Sequence, residues 1–436
     1  MRSGKITFVL LILAVVLVIA AFGIVWRPSL PQEASAPSFQ PAEIERGAQL
    51  AAIGNCITCH TKPEGVPYGG GRPIATPFGT IYSTNITPQR AAGIGGWSEW
   101  AFRRAMKDGV RRDGRHLYPA FPYDHMTRMR DEDIRAVYAF MMTRRPVDTA
   151  NLENDLPFPF NIRALIAGWK LLFLDRGTMQ ADAGKDAEWN RGAYLVEGLG
   201  HCGACHTPRN ILGAEKTDQA YAGGRSEGWI APALNAASPA AVPWDKERLY
   251  NYLRVGFDTV HGVAAGPMAP VVNNLKSVDE AEVRAIAAYV ADITGAPSPE
   301  RQAASSKALA RATDGSSATP PSDHPGASVY AGACAQCHGE FGRVPTVAAL
   351  NLVFSSTLRM PRPDNVIRIV REGIHPSDGA TGPVMPGFDD VLTDRQLTDL
   401  VAFLRTHFTG QTAWTDIDDA LQKAKQKPTQ EARSAQ

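Results

Sequence analysis

Six cysteines stand in three copies of one pattern, Cys-x-x-Cys-His, at 56–60, 202–206 and 334–338 of this 436-residue chain. The copies use every cysteine that the chain has. The pattern is typical of c-type haem attachment, in which both thiols form thioethers and the histidine binds iron. The sequence therefore predicts three covalent haems c. The predicted attachment residues are Cys56, Cys59, Cys202, Cys205, Cys334 and Cys337, and the predicted proximal iron ligands are His60, His206 and His338.

Other uses of paired cysteines fit this pattern less well. A thioredoxin-like redox pair gives no reason for a histidine in every copy. Structural zinc requires four ligands, so two pairs would have to share one ion, and three pairs do not divide in that way. Disulfides do not explain a spacing that recurs inside predicted helices.

The second axial ligand of each iron is expected in the loop before the last helix of each repeat. Met268 follows Gly-Pro about ten residues before one such helix, and Met385 lies in Pro-Val-Met-Pro eight residues before another. A methionine thioether binds haem iron and raises its potential relative to a second histidine. The alternative is that both methionines only pack in the core.

The first repeat departs from this arrangement. Phe121 occupies the position equivalent to the two methionines, and a phenyl ring cannot coordinate iron. The candidate ligands nearby are His125 and Met129, with Met126 or an open iron position as the remaining alternatives. Histidine would give a lower potential than methionine.

Two arginines stand after glycines in matching loops. Arg72 follows Gly-Gly-Gly and Arg225 follows Gly-Gly. Both are candidates for charge-assisted bonds to haem propionates, and the alternative is that they are solvated loop residues.

The sequence around the motifs predicts a repeated pair of helices. Glu45-Arg-Gly-Ala-Gln-Leu50 and Asn190-Arg-Gly-Ala-Tyr-Leu195 precede the first two motifs, and a shorter echo, 326–330, precedes the third. A helix is therefore expected from about three turns before each motif. Amphipathic closing helices are predicted at 131–140, 279–289 and 393–403. Strand signals are scarce, so the predicted fold is all-α.

Composition shifts give the predicted boundaries between these units. The predicted segments are an anchor or signal (1–27), a stalk (28–44), domain 1 (45–147), a connector (148–185), domain 2 (186–295), a flexible linker (296–325), domain 3 (326–409) and a tail (410–436). The apolar connector is expected to pack between domains 1 and 2, with a membrane-surface or partner-docking role as the alternative.

The start of the chain indicates export. Residues 6–26 carry no charge over 21 positions, which is long enough for a membrane-spanning helix. A cleaved signal peptide is the competing interpretation, although the apolar run exceeds the usual length. Arg2 and Lys5 favour an N-terminus inside, and we expect a single-pass protein of the inner membrane with its remaining residues in the periplasm.

Composition and motifs exclude several function classes. The formal net charge is +1, which gives no support for nucleic acid as a partner. The chain has no nucleotide-binding loop, flavin fingerprint or paired acid and base that would indicate a substrate pocket. Electron transfer by the haems is therefore predicted, without catalysis by this chain alone.

The full length of the chain resembles the triheme cytochrome c subunits of bacterial membrane-associated dehydrogenases. The resemblance rests on the order of anchor and three motifs and on phrases such as Tyr82-Ser-Thr-Asn-Ile-Thr-Pro88 and His206-Thr-Pro-Arg-Asn210. It implies three tandem class-I-like cytochrome c domains behind an N-terminal transmembrane helix. It also implies a separate catalytic subunit as donor, which is a molybdenum, flavin or quinoprotein enzyme, and quinone or a terminal oxidase as acceptor.

Among the branches of that family, the segments 118–125 and 261–268 are most similar to the branch linked to molybdenum hydroxylases, which oxidise aldehydes or N-heterocycles. The alcohol and gluconate branches carry methionine where this chain has Phe121. Two alternative functions remain: a haem enzyme that acts on a small molecule at an open iron in domain 1, and a free-standing periplasmic electron shuttle.

Overall fold

The computed structural model describes residues 8, 10–13, 22–34, 37–313, 323–339, 350–375 and 383–425. They form two compact units, Met1–Ala181 with Glu197–His201, and Asp182–Val196 with Cys202–Gln436. This division does not reproduce the three predicted domains, whose boundaries stay predictions. No helix within the described ranges is both long and apolar enough to cross a membrane. Most of the predicted anchor lies outside those ranges.

The first unit is mainly helical and contains one short antiparallel hairpin, in which Pro73 pairs with Tyr82. Its elements are α1 (Pro41–Ile53), α2 (Cys56–Cys59), β1 (Pro73–Thr76), β2 (Gly79–Tyr82), α3 (Glu99–Asp108), α4 (Tyr123–Met126), α5 (Asp131–Met142) and α6 (Leu165–Phe173).

Local sequence explains where these helices begin and end. α1 starts with Pro41, which needs no hydrogen-bond acceptor at a first helical position, and Gly54 follows its last residue as the C-cap. The hydroxyl of Ser98 accepts a hydrogen bond from the Ala101 amide and caps α3. That helix ends at Gly109, whose φ of 58° is a left-handed conformation that favours glycine.

The second unit contains two further hairpins and the remaining helices. Its elements are α7 (Ala187–Tyr194), α8 (Gly203–His206), β3 (Gly224–Ser226), β4 (Trp229–Ala231), α9 (Lys246–Val255), β5 (Phe257–Asp258), β6 (Gly262–Val263), α10 (Met268–Leu275), α11 (Glu280–Thr294), α12 (Pro299–Thr313), α13 (Pro325–Ala333), α14 (Ala335–His338), α15 (Asp364–Glu372), α16 (Asp394–Thr409) and α17 (Ile417–Lys425). A π-helical segment, Leu195–Leu199, follows α7, and 3₁₀ turns cover Thr217–Gln219, Leu352–Phe354 and Thr357–Arg359.

A glycine lies at the crossing of three helix pairs, α1 with α5, α7 with α11, and α13 with α16. A Cβ added to this glycine would clash with a backbone carbonyl of the partner helix. The carbonyl oxygen would be nearer to the added Cβ than the carbonyl carbon. The distances from that Cβ to the carbonyl carbons are 2.6 Å for Gly47 to Ala136, 2.7 Å for Gly192 to Ala285 and 2.6 Å for Gly326 to Asp399. Only glycine lets the helix axes approach this closely.

The surroundings of the crossing also recur. An aromatic residue stands one turn further along each closing helix, and its Cβ is the next neighbour of the glycine: Phe140, Tyr289 and Phe403. Arg191 before the second glycine makes two 2.7 Å bonds to the Glu282 carboxylate, and Arg46 and Asp133 pair in the same place in the first unit. The third crossing has proline and glutamine at these positions.

The predicted closing helices are confirmed as α5, α11 and α16, each longer than its predicted range. The prediction of a mainly helical chain is also confirmed. Within the described ranges the exceptions are three hairpins, whose strands have at most four residues.

Two predicted loose segments are partly ordered. Within the predicted flexible linker, α12 is helical, and it places Ala308 in the apolar core of the second unit. Alanines and other helix formers dominate this stretch, which explains the difference. Within the predicted tail, α17 buries Ile417 and Leu421 against the same core, and Trp414 donates to the Met360 carbonyl at 3.0 Å. Residues 314–322 and 426–436 lie outside the described residues.

Candidate functional site

The three Cys-x-x-Cys-His motifs share one local structure. Each overlaps a single helical turn, α2, α8 or α14, which comes soon after the longer helix that carries the crossing glycine. None of the six cysteines forms a disulfide, and none of these residues is fully buried.

The motif histidines share an orientation that the sequence did not predict. In each, ring nitrogen Nδ1 bonds to a backbone carbonyl: His60 to Thr84 at 2.7 Å, His206 to Pro232 at 2.7 Å and His338 to Leu350 at 3.0 Å. Such a bond fixes the tautomer with the proton on Nδ1 and leaves a lone pair on Nε2. A carbonyl on the remote nitrogen is the usual support for a metal-binding imidazole.

Burial favours the neutral form of two of these imidazoles. It lowers the pKa of His60 and of His206, and the carbonyl bonds oppose this shift only in part. Because a metal binds the unprotonated nitrogen, a neutral ring at pH 7 is suited to an iron ligand.

The thiols lack the character of redox cysteines. Burial, followed by the neighbouring Cys59, raises the pKa of Cys56 to about 12. Burial and the neighbouring Cys337 raise the pKa of Cys334 to about 11. Reactive Cys-x-x-Cys pairs instead have lowered thiol pKa values, so this geometry disfavours the thioredoxin-like alternative.

The carbonyl partner in the first unit lies in the phrase Tyr82-Ser-Thr-Asn. The Asn85 side chain holds this loop by donating to the carbonyls of Val147 and Thr149, at 2.7 and 3.2 Å. Gly70 packs against the same loop, with the Thr84 carbonyl carbon 2.5 Å from a Cβ built on it. The asparagine and the glycines stand out in the sequence, but the sequence does not show that they hold the loop whose carbonyl binds His60.

The predicted second ligands lie in glycine- and proline-rich surroundings, one at the start of a helix and one in an isolated backbone bridge. Met268 is the first residue of α10, directly after Pro267, and Met385 pairs through its backbone with Ile374 at 2.9 Å in both directions. Both side chains are half-buried. A side chain that faces a haem crevice must keep accessible surface in the polypeptide itself, and both methionines meet this condition.

The candidate second ligands in the first unit lack this accessible surface. His125 and Met126 lie on α4 with 4% and 3% of their surface exposed, and Met129 is fully buried. Nδ1 of His125 bonds to the Glu197 carbonyl at 2.9 Å. Phe121 is half-exposed. The part of this loop with accessible surface is therefore the one whose side chain cannot bind iron.

The two candidate propionate ligands lie in different surroundings. The backbone amide of Arg72 donates to the Ser83 hydroxyl at 3.0 Å, next to β1. Arg225, in β3, pairs with Asp364 of α15 at 3.1 Å, and more than half of its side chain is exposed. The charge of Arg225 already has a partner, and both propionate contacts stay predictions.

A histidine outside the motifs has a structural role. His261 is buried and stacks on Trp244 with ring centroids 3.5 Å apart. Its Nδ1 bonds to Asp258 at 2.7 Å and its Nε2 to the Val242 carbonyl at 2.9 Å. With both nitrogens engaged, this ring is not available as an iron ligand.

Comparison with known proteins agrees with this geometry. The cytochrome c family matches residues 44–145, and cytochrome c oxidase, cbb3-type, subunit III matches 321–404. The chain is 45% identical to a nicotinate dehydrogenase subunit of Pseudomonas putida over 90% of its own length but only 32% of that protein. It is 34% identical to the fructose dehydrogenase cytochrome subunit of Gluconobacter japonicus, covering 93% of this chain and 87% of the relative.

A third relative is the gluconate 2-dehydrogenase cytochrome c subunit of Pantoea cypripedii, with 38% identity over 84% of this chain and 85% of the relative. The family likeness implies covalently bound haem c, and the motif residues described above suit that group. The chain therefore belongs to the family of cytochrome c subunits of dehydrogenases, whose role is electron transfer.

Proposed function

We propose that this chain holds three covalent haems c and passes electrons from a separate dehydrogenase subunit to the respiratory chain. The observation that carries the proposal is the threefold imidazole, with Nδ1 fixed by a carbonyl and Nε2 left for iron. When bound, haem c supplies a one-electron couple, and the protein sets its potential through the axial ligand and burial.

The repeated helix crossing supports the number three. Each motif follows a helix that meets its closing helix at a glycine, with the same aromatic neighbour. A haem attached to one motif has therefore an equivalent scaffold at the other two. In each, the two cysteines form the thioethers and the adjacent histidine binds iron.

Met268 and Met385 are the second ligands in this proposal. Their half-buried side chains and equivalent places before α11 and α16 support that role. The iron in the first unit has either His125 or Met129, if α4 and the residues after it rearrange around the haem, or no protein ligand on that side.

An open iron in the first unit is the second candidate function, because it would let this chain bind or reduce a small molecule. The burial of His125 and Met129 beside a half-exposed Phe121 favours it. The optical spectrum of the ferric protein tests it. A high-spin component that disappears on addition of cyanide supports an open iron, whereas three low-spin haems exclude it.

The names of the relatives suggest which kinds of dehydrogenase could donate electrons to this chain. One relative is named for nicotinate, an N-heterocycle, and others for fructose and gluconate. We favour a molybdenum hydroxylase as donor, as the resemblance of 118–125 and 261–268 implied, over a flavin or quinoprotein enzyme. Attachment to the inner membrane by residues 6–26 would place the chain close to quinone or a terminal oxidase.

Haem counting tests the central proposal. A pyridine haemochrome assay on the purified full chain is expected to give three haems per polypeptide, with the pigment retained after denaturation and acid–acetone extraction. Cys202→Ser with Cys205→Ser is expected to give two. A matched change away from the motifs, Ser306→Ala on α12, is expected to leave three, because the Ser306 hydroxyl bonds to the Gln302 carbonyl of the same helix. Extractable pigment, or a count of two in the unsubstituted chain, refutes the proposal.

A further inference from the structure

Among the described residues, the first unit exposes an apolar surface. It comprises α6 and the loop before it, in which Phe158 and Leu172 are 80% and 70% exposed and Phe160, Leu165 and Leu171 are also exposed. Scattered apolar side chains are common on protein surfaces, but a contiguous group of this kind marks an interaction site.

The opposite face of α6 is firmly attached, so the exposure is not a consequence of a loose segment. Ala167 and Lys170 are buried, and the Lys170 ammonium donates to the carbonyls of Asp108 and Gly109 at 2.7 and 2.6 Å. Trp169 packs edge-on against Tyr123 with ring centroids 6.1 Å apart. The fold therefore presents the apolar face outward in a fixed orientation.

The predicted membrane-spanning segment ends beside this helix. The carbonyl of Val25 bonds to Nε2 of His116 at 2.8 Å, and Nδ1 of the same ring lies 3.1 Å from the Lys170 ammonium. A single imidazole thus links the end of residues 6–26 to α6. The following residues also lie on this unit, since Arg104 donates to the Pro28 carbonyl at 2.8 Å.

Charge around the surface suits an anionic layer. No carboxylate occurs between Leu156 and Leu174, and Arg163 precedes α6. Asp155 and Asp175 stand just outside this range, and Arg176 pairs with Asp108 at 3.1 Å, so the apolar stretch itself is free of negative charge. Trp26, at the end of the predicted spanning segment, is exposed. Basic residues and tryptophan beside an apolar face are typical of helices that lie at a membrane surface.

We propose that α6 and residues 157–162 lie in the headgroup region of the bilayer, as a second membrane contact beside the anchor. This inference rests on the proposed attachment of the chain to the inner membrane. Nine residues extend only about 14 Å as a helix, so α6 lies in the surface and does not cross it. The contact would hold the first unit against the membrane instead of leaving it on a free stalk.

Spin-label accessibility on the full chain tests this. The chain is reconstituted into vesicles of phosphatidylethanolamine and phosphatidylglycerol, and a nitroxide is attached to Leu172→Cys or, as a matched control, to Ile211→Cys, which replaces a 92% exposed residue of the second unit. The signal of the unsubstituted chain is subtracted. We expect the ratio of collisions with oxygen to collisions with a water-soluble nickel chelate to be several-fold higher at position 172.

Three results overturn the inference, and they differ from each other. Equal ratios at both positions mean that α6 faces water, although the chain is attached. Protection of position 172 from oxygen and nickel alike means that a protein, either the dehydrogenase subunit or a second copy, covers α6. Failure of the chain to float with vesicles removes the proposed attachment as well as the surface contact.

Discussion

Replacing Gly326 by alanine tests the physical basis of the repeated helix crossing. The new methyl group would lie 2.6 Å from both the Asp399 carbonyl carbon and the Cβ of Phe403 on α16. Ordinary van der Waals contact begins at 3.4 Å, and these neighbours are a backbone carbonyl and a Cβ, neither of which can rotate away. α13 must therefore move away from α16.

The expected cost is about 2–3 kcal/mol, at the upper end of the range for overpacked cores, because backbone has to shift. Alanine favours a helix over glycine by up to about 1 kcal/mol, which offsets part of the cost. The net loss is about 1–2 kcal/mol. Since 1.4 kcal/mol is a tenfold change in an equilibrium constant, opening of this helix pair should increase by roughly five- to thirtyfold.

Hydrogen exchange read by mass spectrometry measures this change on peptides from α16, because slow amides report local unfolding. The control lies in the same helix: Gly332 has no neighbour within 4 Å of an added Cβ, so Gly332→Ala should leave protection unchanged or raise it. Equal protection in the two variants would refute the claim that the crossing requires glycine.

Three further predictions concern stability, each measured by hydrogen exchange of the element involved. Arg191→Met removes the two bonds to Glu282 and should destabilise the α7–α11 pair by about 1 kcal/mol, because paired bonds of this geometry exceed ordinary surface ion pairs. Burial lowers the pKa of Lys170 to about 7, so the first unit should gain stability as pH rises from about 7 toward 10.5, where only the unfolded chain still holds the proton. Asn365→Ala should cost about 1–3 kcal/mol, because its amide bonds to both the N–H and the C=O of Ile230 at 2.9 and 2.8 Å.

Each of the three has a matched comparison. Arg395→Met removes an exposed pair within one helix and should have no measurable effect. Lys170→Met should flatten the rise with pH, and a rise that persists would assign it to another group. For Asn365→Ala, protection of β4 that equals the unsubstituted chain would show that the side-chain bonds add nothing to the docking of this strand.

Helix positions were predictable where amphipathic periodicity and capping residues coincide. The closing helices are such a case, because acidic first turns and apolar stripes point to the same ranges. α12 and α17 were not predicted, since their polar, alanine-rich sequences resemble linkers and gain their order from burying residues such as Ala308 and Leu421 in a core. The crossing glycines were visible in the repeated Arg-Gly-Ala phrase, but their partner carbonyls depend on tertiary packing.

At the candidate site, the residues that attach the haem could be predicted from the sequence. The hydrogen bonds that orient the motif histidines could not. Spacing alone names the cysteines and histidines, because attachment chemistry fixes it. The acceptors for Nδ1 are backbone carbonyls of Thr84, Pro232 and Leu350, and a carbonyl leaves no mark on residue identity. The choice between His125 on α4 and Met129 three residues after that helix likewise depends on how this short segment packs, which its sequence does not encode.

The second unit joins what the sequence separates into two domains. Asn365 of α15 bonds to Ile230 in the hairpin that follows the second motif, and Arg225 of that hairpin pairs with Asp364. The guanidinium of Arg368 lies 6.0 Å from the Trp229 ring centroid. These contacts use the loop that was expected to bind a propionate, and they bring together residues more than 130 positions apart. We therefore expect the second and third motifs to move as one body, whatever the length of the linker between them.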